Sequence, residues 1–306
     1  MIHFEPVYQS KVWGGRRFEE FLGRQLPPGP IGESWELVDL PEHTSKVPSG
    51  PMQGLSLDHL WREGMLNHTP TGDFPFLLKW LDVHAPLSLQ VHPDEQACKV
   101  LGSGHPKSEA WYVAHAEPGA KIHIGHKKGF TSAVATNAIA EGRIIDWVTK
   151  IEPRIGDMYL VSPGTLHAID EGLILLEVQQ PSDTTYRVYD WERKGLNGAP
   201  RQLHVQEALA CINYNGHGAP HPSRGQVVGP GFSMQLVQPP ATIAPDKLRV
   251  FVGIHSNTRV ANRNESFLLP RGTVLVGEVA DGDIQVRDLP CLVLSQTPLR
   301  IKTPSQ

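Results

Sequence analysis

The sequence is poor in cysteine. Cys98, Cys211 and Cys291 are the only three among 306 residues, and they are far apart. A scattered, odd-numbered set fits neither a disulfide framework nor a Cys-x-x-Cys metal knuckle. We therefore expect reduced thiols, as in a cytoplasmic protein.

Long apolar runs and blocks of one charge are also missing. No stretch approaches the roughly 18 apolar residues of a membrane-spanning helix, and the opening MIHFEPVYQSKVWGG lacks the apolar core of a signal peptide. The net charge is −4 with neutral histidines, and no basic block stands out. Neither nucleic acid nor an anionic membrane is therefore an expected partner, and we expect a cytoplasmic location.

Glycine and proline, in contrast, are abundant. The 29 Gly and 27 Pro are spread along the chain between short β-rich runs. Many short strands separated by such turns predict a mainly β fold, a jelly-roll barrel whose interior can hold a ligand. Helical spacing and capping residues predict helical insertions at 55–66, 94–101, 131–149 and 205–211.

The composition shifts near residue 220. The segment 215–231 is rich in Gly and Pro and reads as a linker. From the strand pattern we expect a jelly-roll domain with helical insertions at 1–220 and a smaller C-terminal β-domain, jelly-roll-like and non-catalytic, at 221–306. The second domain shows short alternating strands without clustered His, Asp or Glu.

Polar side chains recur at a period of two in the strands that flank the predicted helix 94–101. They are Ser88, Gln90 and His92 before the helix, and Lys107, Glu109 and Trp111 after it. Since alternate residues of a strand share a face, we expect one sheet face to gather both sets. Such a face is too polar for a core and too ordered for plain solvent surface, which indicates the wall of a metal site.

A turn at 162–166 delivers a further histidine to this wall. The candidate ligands are then Gln90, His92, Glu109 and His167. Two imidazoles, a carboxylate and an amide oxygen suit Zn²⁺, with Fe²⁺, Mn²⁺ or Co²⁺ as alternatives. Each histidine alone is more often a hydrogen-bonded structural residue, so the hypothesis depends on their convergence.

Four stretches together resemble type I mannose-6-phosphate isomerases, in their short bacterial form, within the cupin superfamily. They are LSLQVHPDE, GHPKSEAWYV, PGTLHAI and LEVQQPSDTTYRVYDW, with weaker similarity at SKVWGG, IGESWEL and FPFLLKWLD. The resemblance covers residues 1 to about 215, and it implies that 1–220 is a catalytic cupin domain. It departs from the family's usual pattern at 162–164, where Ser-Pro-Gly precedes the threonine of the histidine turn.

The resemblance implies roles for individual residues. It implies a zinc ion on the four candidate ligands, a catalytic Arg187, and a small sugar phosphate as the partner, in an oligomeric state that stays open. The residues it groups around the substrate are Ser88, Lys107, Lys79, Glu177 and Asp183. Ser88 and Lys107 suit a phosphate, while the alternative for Arg187 is a structural ion pair with Asp183 or Asp190.

The resemblance also implies a reaction, the interconversion of D-mannose 6-phosphate and D-fructose 6-phosphate through a cis-enediol. The group that moves the proton stays open among Glu177, Asp183, Lys79 and a water molecule. Two alternative functions also stay open. One is another metal-dependent cupin enzyme acting on a related sugar, and the other is a sugar-phosphate-binding cupin without turnover.

Overall fold

The computed structural model describes residues 1–67, 69–299 and 301–302. The strands up to residue 189 are β1 (Val7–Gly15), β2 (Ile31–Leu37), β3 (Asp39–Leu40), β4 (His43–Thr44), β5 (Leu77–Val83), β6 (Leu89–Val91), β7 (Glu109–Ala116), β8 (Ile122–His126), β9 (Val148–Ile151), β10 (Met158–Val161), β11 (His167–Ile169), β12 (Leu173–Gln179) and β13 (Tyr186–Tyr189). The later strands are β14 (Gln226–Gly229), β15 (Phe232–Val237), β16 (Ala241–Ile243), β17 (Arg249–Gly253), β18 (Thr258–Ala261), β19 (Ser266–Leu269), β20 (Val274–Gly277), β21 (Ile284–Arg287), β22 (Cys291–Ser295) and β23 (Ile301–Lys302).

The helices are short. They are α1 (Phe18–Phe21), α2 (Leu57–Arg62), α3 (Glu95–Leu101), α4 (Ser132–Ala140) and α5 (Val205–Cys211), with 3₁₀ turns at Ile144–Trp147 and Val279–Asp281. Within the described ranges, no helix is long and apolar enough to cross a membrane. The mainly β class predicted from the sequence is confirmed.

Four sheets of five or six strands and one layer of helices are stacked on each other, and β3 and β4 form a separate two-stranded sheet in the described part of the chain. Sheet I has the order β1-β2-β5-β12-β7-β10, and sheet II has β13-β6-β11-β8-β9. Sheet III has β14-β15-β22-β17-β20, and sheet IV has β19-β18-β21-β16-β23. Helices α3, α4 and α5 pack on the outer face of sheet II through Ala97, Ala135 and Ala208.

Alternation along the strands of sheet I decides what lies between sheets I and II. In β12, Leu173 and Leu175 pack with Ile124 and Ile169 of sheet II. The intervening Ile174 and Leu176 face the opposite way and join a core with Met234 and Val250 of sheet III. Glu177 follows in phase with Leu175, so its carboxylate belongs to the space between sheets I and II.

That shared core bears on the expected domains. Apolar side chains from sheets I and III bury one another across the expected boundary between 1–220 and 221–306. Sheets III and IV have a separate core of their own, including Phe251 and Ile284. The division into two domains stays a prediction.

Two boundaries predicted from the sequence are wrong. The helix expected over 131–149 ends at Ala140, because Gly142 takes a left-handed φ of 66° and the chain then forms a 3₁₀ turn and strand β9. The linker expected at 215–231 contains strand β14, which pairs with β15. Helix α3 begins as expected, with the Asp94 side chain accepting from the Ala97 N–H at 2.7 Å.

Candidate active site

The polar wall expected on one sheet face is divided between two sheets, so that expectation is wrong. Gln90 lies in β6 and His167 at the start of β11, neighbouring strands of sheet II in which these two residues are directly paired. Glu109 opens β7 of sheet I. His92 follows β6, and helix α3 then carries the chain across to sheet I. The two sets of side chains meet across the barrel interior.

Three of the four candidate ligands form a compact, buried cluster. His92, Glu109 and His167 each offer one ligand atom, and these atoms all lie within 4.8 Å of one another. The two Nε2 atoms are each 3.3 Å from a different oxygen of Glu109. All three side chains are about 1% exposed. Bulk water therefore has little access to the cluster.

The backbone fixes which nitrogen of each imidazole faces the cluster. His92 Nδ1 is 2.9 Å from the carbonyl oxygen of Thr184, and His167 Nδ1 is 2.8 Å from that of Thr165. A carbonyl accepts only, so each Nδ1 carries the hydrogen and donates it. Each neutral ring then presents its Nε2 lone pair to the centre, as metal-ligating histidines do.

Gln90 completes the cluster beside His167. Its Nε2 is 3.2 Å from His167 Nε2, and its Oε1 is 3.4 Å from the Ser88 hydroxyl, which donates to it. The two ends of an amide are nearly the same in shape. A half-turn of the Gln90 amide would therefore bring the oxygen to the cluster, in the place of the fourth expected ligand.

Charges within the cluster favour the protonation states that bind a metal. Burial and the Lys107 ammonium lower the pKa of His92 to about 3, and burial lowers that of His167. Burial by itself would raise the pKa of Glu109. The Lys107 ammonium, 2.8 Å away, outweighs this effect and holds the pKa of Glu109 well below its usual range. Neutral imidazoles and an ionised carboxylate are the forms that ligate metals, so the residues present fit a divalent ion.

A second charged group adjoins the cluster on sheet I. Glu177 pairs with Lys79 across neighbouring strands, and their Oε1 and Nζ atoms are 2.9 Å apart. Trp111 Nε1 donates to the other oxygen of Glu177 at 3.0 Å. Burial and the nearby Glu109 raise the pKa of Glu177. Burial alone would lower the pKa of Lys79, but the negative charges of Glu177 and Glu33 outweigh it and raise that pKa. Glu177 and Lys79 thus form a buried, ion-paired couple.

The residues expected around the substrate line one cleft above the cluster. They are Ser88, Lys107, Lys79, Glu177 and Asp183, and the same cleft is lined by Gln90, an expected metal ligand, and by Arg187, the expected catalytic residue. In the described part of the chain, Arg187 has neither of the ion pairs that would have made it structural. Asp190 binds Arg193 and Arg201 instead.

The cleft also contains residues that sequence reasoning missed, among them Lys11, Glu33, Thr185 and Arg201. Glu33 carried a usable signal, since a carboxylate within the apolar strand IGESWEL needs a partner. Arg201 carried none, because it lies in an aperiodic loop and enters the cleft only through tertiary contacts. The roles of all these side chains stay predictions.

Taken together, a jelly-roll barrel with a buried His₂/Glu cluster under a polar cleft has the architecture of a cupin-type enzyme with a candidate metal site. Residues 1–108 match the model of the phosphomannose isomerase type I catalytic domain. The mannose-6-phosphate isomerase of Streptococcus mutans is 39% identical over 218 residues, which cover 68% of each chain.

Solved structures are similar to this one over nearly the whole chain. The crystal structure of the Bacillus subtilis mannose 6-phosphate isomerase covers 96% of this chain and 98% of its own, with 29% identity and a TM-score of 0.86. A mannose 6-phosphate isomerase bound with zinc and yttrium covers 97% of this chain and 99% of its own, with 14% identity and a TM-score of 0.73, and shares the fold. The chain belongs to the type I mannose-6-phosphate isomerase family, and the predicted family, fold and enzyme class are confirmed.

Proposed function

We propose that this protein interconverts D-mannose 6-phosphate and D-fructose 6-phosphate through a cis-enediol, with Zn²⁺ held by Gln90, His92, Glu109 and His167. The observation that carries the proposal is the convergence of these side chains from two sheets beneath one cleft. The zinc-bound relative has the same fold and supports the choice of metal.

A bound Zn²⁺ would supply Lewis-acid stabilisation of negative charge on the substrate oxygens at C1 and C2. Its site keeps a single carboxylate, Glu109, so the ion retains net positive charge. Lys107 adds a second cation at the same place, 2.8 Å from Glu109. The residues here therefore favour an enediolate over the neutral sugar.

The proton transfer between C1 and C2 is assigned to the Glu177–Lys79 couple. Glu177 lines the cleft, and its raised pKa brings it closer to neutrality, where a group can both take and return a proton. Lys79, 2.9 Å away, holds the carboxylate in the cleft and stabilises its ionised form. Trp111 fixes the other oxygen. Asp183 and a water molecule are the alternatives that mutation of Glu177 would separate.

Arg187 is proposed as the fixed cation on the opposite wall. It stays protonated, so it attracts the anionic substrate electrostatically and does not act as a base. It has no carboxylate partner within the described ranges, and its Nε is buried without a hydrogen-bond partner, so the guanidinium is left available for a ligand. The catalytic unit is proposed to be residues 1–220, because all of these side chains lie there.

A coupled assay tests the proposal. Purified protein should produce fructose 6-phosphate from mannose 6-phosphate, lose the activity in a chelator, and regain it with Zn²⁺. The variant His92→Ala should lose both zinc and activity. The matched control His115→Ala lies on the same sheet as Glu109, away from the cluster, and should keep both.

The rival functions give different results in the same assay. Turnover that needs O₂ would indicate a different cupin enzyme. Tight binding of the sugar phosphate without product would indicate a binding protein. Full activity of zinc-free protein would overturn the metal assignment.

A further inference from the structure

The cations of the cleft are not all neutralised to the same degree. Each lysine has a carboxylate within ion-pair distance. Lys11 is 3.4 Å from Glu33, and Lys79 is 2.9 Å from Glu177. Lys107 is 2.8 Å from Glu109 and also 3.1 Å from His92 Nε2. The positive charges of the three lysines are therefore already balanced by carboxylates at the catalytic end of the cleft.

The position of Lys107 matters for the phosphate. The sequence led us to expect this lysine and Ser88 to bind it. A phosphate on Lys107 would lie against the metal ligands, where the reacting carbons must sit. The phosphate is at the opposite end of the sugar chain from C1 and C2, so it needs a cation elsewhere in the cleft.

Two arginines on the other wall, Arg187 and Arg201, are not fully neutralised by carboxylates. Arg187 has no ion pair within the described ranges, and its buried Nε has no hydrogen-bond partner. Arg201 Nε donates to Asp190 at 2.7 Å, but Arg193 binds the same carboxylate at 2.8 Å. One carboxylate thus faces two arginines, which leaves positive charge uncompensated beside Arg187.

These guanidiniums also act on each other. Burial lowers the pKa of Arg187, and the charge of Arg201 lowers it further, with only partial compensation by Asp190 and Asp183. Asp183 lines the same cleft but is exposed and forms no ion pair with Arg187 in the described residues. An anion bound between the two arginines would remove this repulsion and gain charge-assisted hydrogen bonds from both.

We propose that Arg201, together with Arg187, binds the phosphate of the substrate, and that Asp190 is a positioning residue that holds Arg201 at the cleft. The hydroxyl of Thr185 lines the same cleft and suits a remaining phosphate oxygen. This inference rests on the proposed function, since it places a sugar phosphate in the cleft. It makes Arg201 a specificity residue that acts on binding, apart from the chemistry at C1 and C2.

The test measures phosphate recognition separately from turnover. The variant Arg201→Gln should raise the KM for mannose 6-phosphate and the inhibition constant of inorganic phosphate about 10-fold or more, as loss of a charge-assisted contact predicts. The kcat at saturation should stay within a few-fold, and the zinc content should not change. Arg201→Lys should restore part of the phosphate affinity, and Asp190→Asn should weaken it in the same direction.

The control is Arg224→Gln. Arg224 also pairs with a buried aspartate, since its Nε is 3.0 Å from Asp157, but it does not line the cleft. It should leave both constants unchanged. Equal phosphate inhibition in wild type and Arg201→Gln would overturn the inference, as would a loss of kcat with an unchanged KM.

A failure of the proposed function can be told apart from a failure of the subsite. Calorimetric titration of the zinc-loaded protein with inorganic phosphate measures the subsite without turnover. If the wild type does not isomerise mannose 6-phosphate but binds phosphate through Arg201, only the proposed function fails. If the wild type isomerises the sugar while phosphate binds equally well to Arg201→Gln, only the subsite fails.

Discussion

Replacing Glu109 by glutamine separates the two roles that the structure gives this carboxylate. The substitution keeps the shape of the side chain and removes its charge. In the native protein Glu109 is about 1% exposed, and its oxygens lie 2.8 Å from the Lys107 ammonium and 3.3 Å from each imidazole Nε2 of His92 and His167. The variant therefore loses the anionic metal ligand and leaves a buried ammonium without its partner.

The two losses have different magnitudes and different dependence on zinc. Breaking one side of a buried ion pair costs about 3–5 kcal/mol of unfolding free energy, and this cost is present in metal-free protein. A ligand that binds only the folded state adds about 4 kcal/mol when it is present at 1,000 times its Kd. The wild type should gain this increment with zinc, whereas Glu109→Gln should gain much less. The difference in unfolding free energy between the two proteins should therefore be larger with zinc than with chelator.

Urea unfolding at pH 7, with chelator and again with zinc, measures both terms, and metal content per chain is measured on the same samples. The control Glu117→Gln removes a 55% exposed carboxylate that pairs with Arg17 at the surface. It should change stability by less than about 1 kcal/mol and leave zinc binding intact. If Glu109→Gln kept the zinc stoichiometry and zinc stabilisation of the wild type, the proposed metal site would be wrong.

Three further predictions concern stability. Burial raises the pKa of Glu33, but neighbouring lysines lower it to about 2, so its ionised form stabilises the fold by on the order of 3 kcal/mol near neutral pH. Because this folded-state pKa is depressed, the cost of Glu33→Gln in urea unfolding should shrink as the pH falls from 4.5 toward 2. Gly125→Ala should cost more than about 2 kcal/mol, since its φ is 72° and a Cβ there would lie 2.0 Å from the carbonyl oxygen of Gly218. Asp94→Ala removes the N-cap of α3 and should cost about 1 kcal/mol.

Each of these has its own check. Gly119 has a similar φ of 84°, but a Cβ at that position would have nothing within 4 Å, so Gly119→Ala should cost less than Gly125→Ala. Equal losses would show that the close approach at Gly125 is unimportant. A pH-independent effect of Glu33→Gln would contradict the ion pairing assigned to Glu33. An Asp94→Asn variant should retain most of the cap, and parity with Asp94→Ala would argue against capping.

The sequence by itself determined which residues are the main candidates for the chemistry and which side of a strand they occupy. Ser88, Gln90 and His92 follow a period of two, and Glu109 precedes Trp111 in the same way, because strand geometry places alternate side chains on one face. The start of α3 was also predictable from nearby residues, because the Asp94 cap bonds only to its own helix. Such features depend on residues close together along the chain.

Only the tertiary structure decided which faces meet. The strands of Gln90 and Glu109 lie in different sheets, and long-range pairing placed the carboxylate opposite the histidines. The same pairing buried Lys107 against Glu109 and brought Arg201 to the cleft from an aperiodic loop. Periodicity fixes a residue's face, but the partner of that face depends on how distant strands pair and pack, which no local pattern contains.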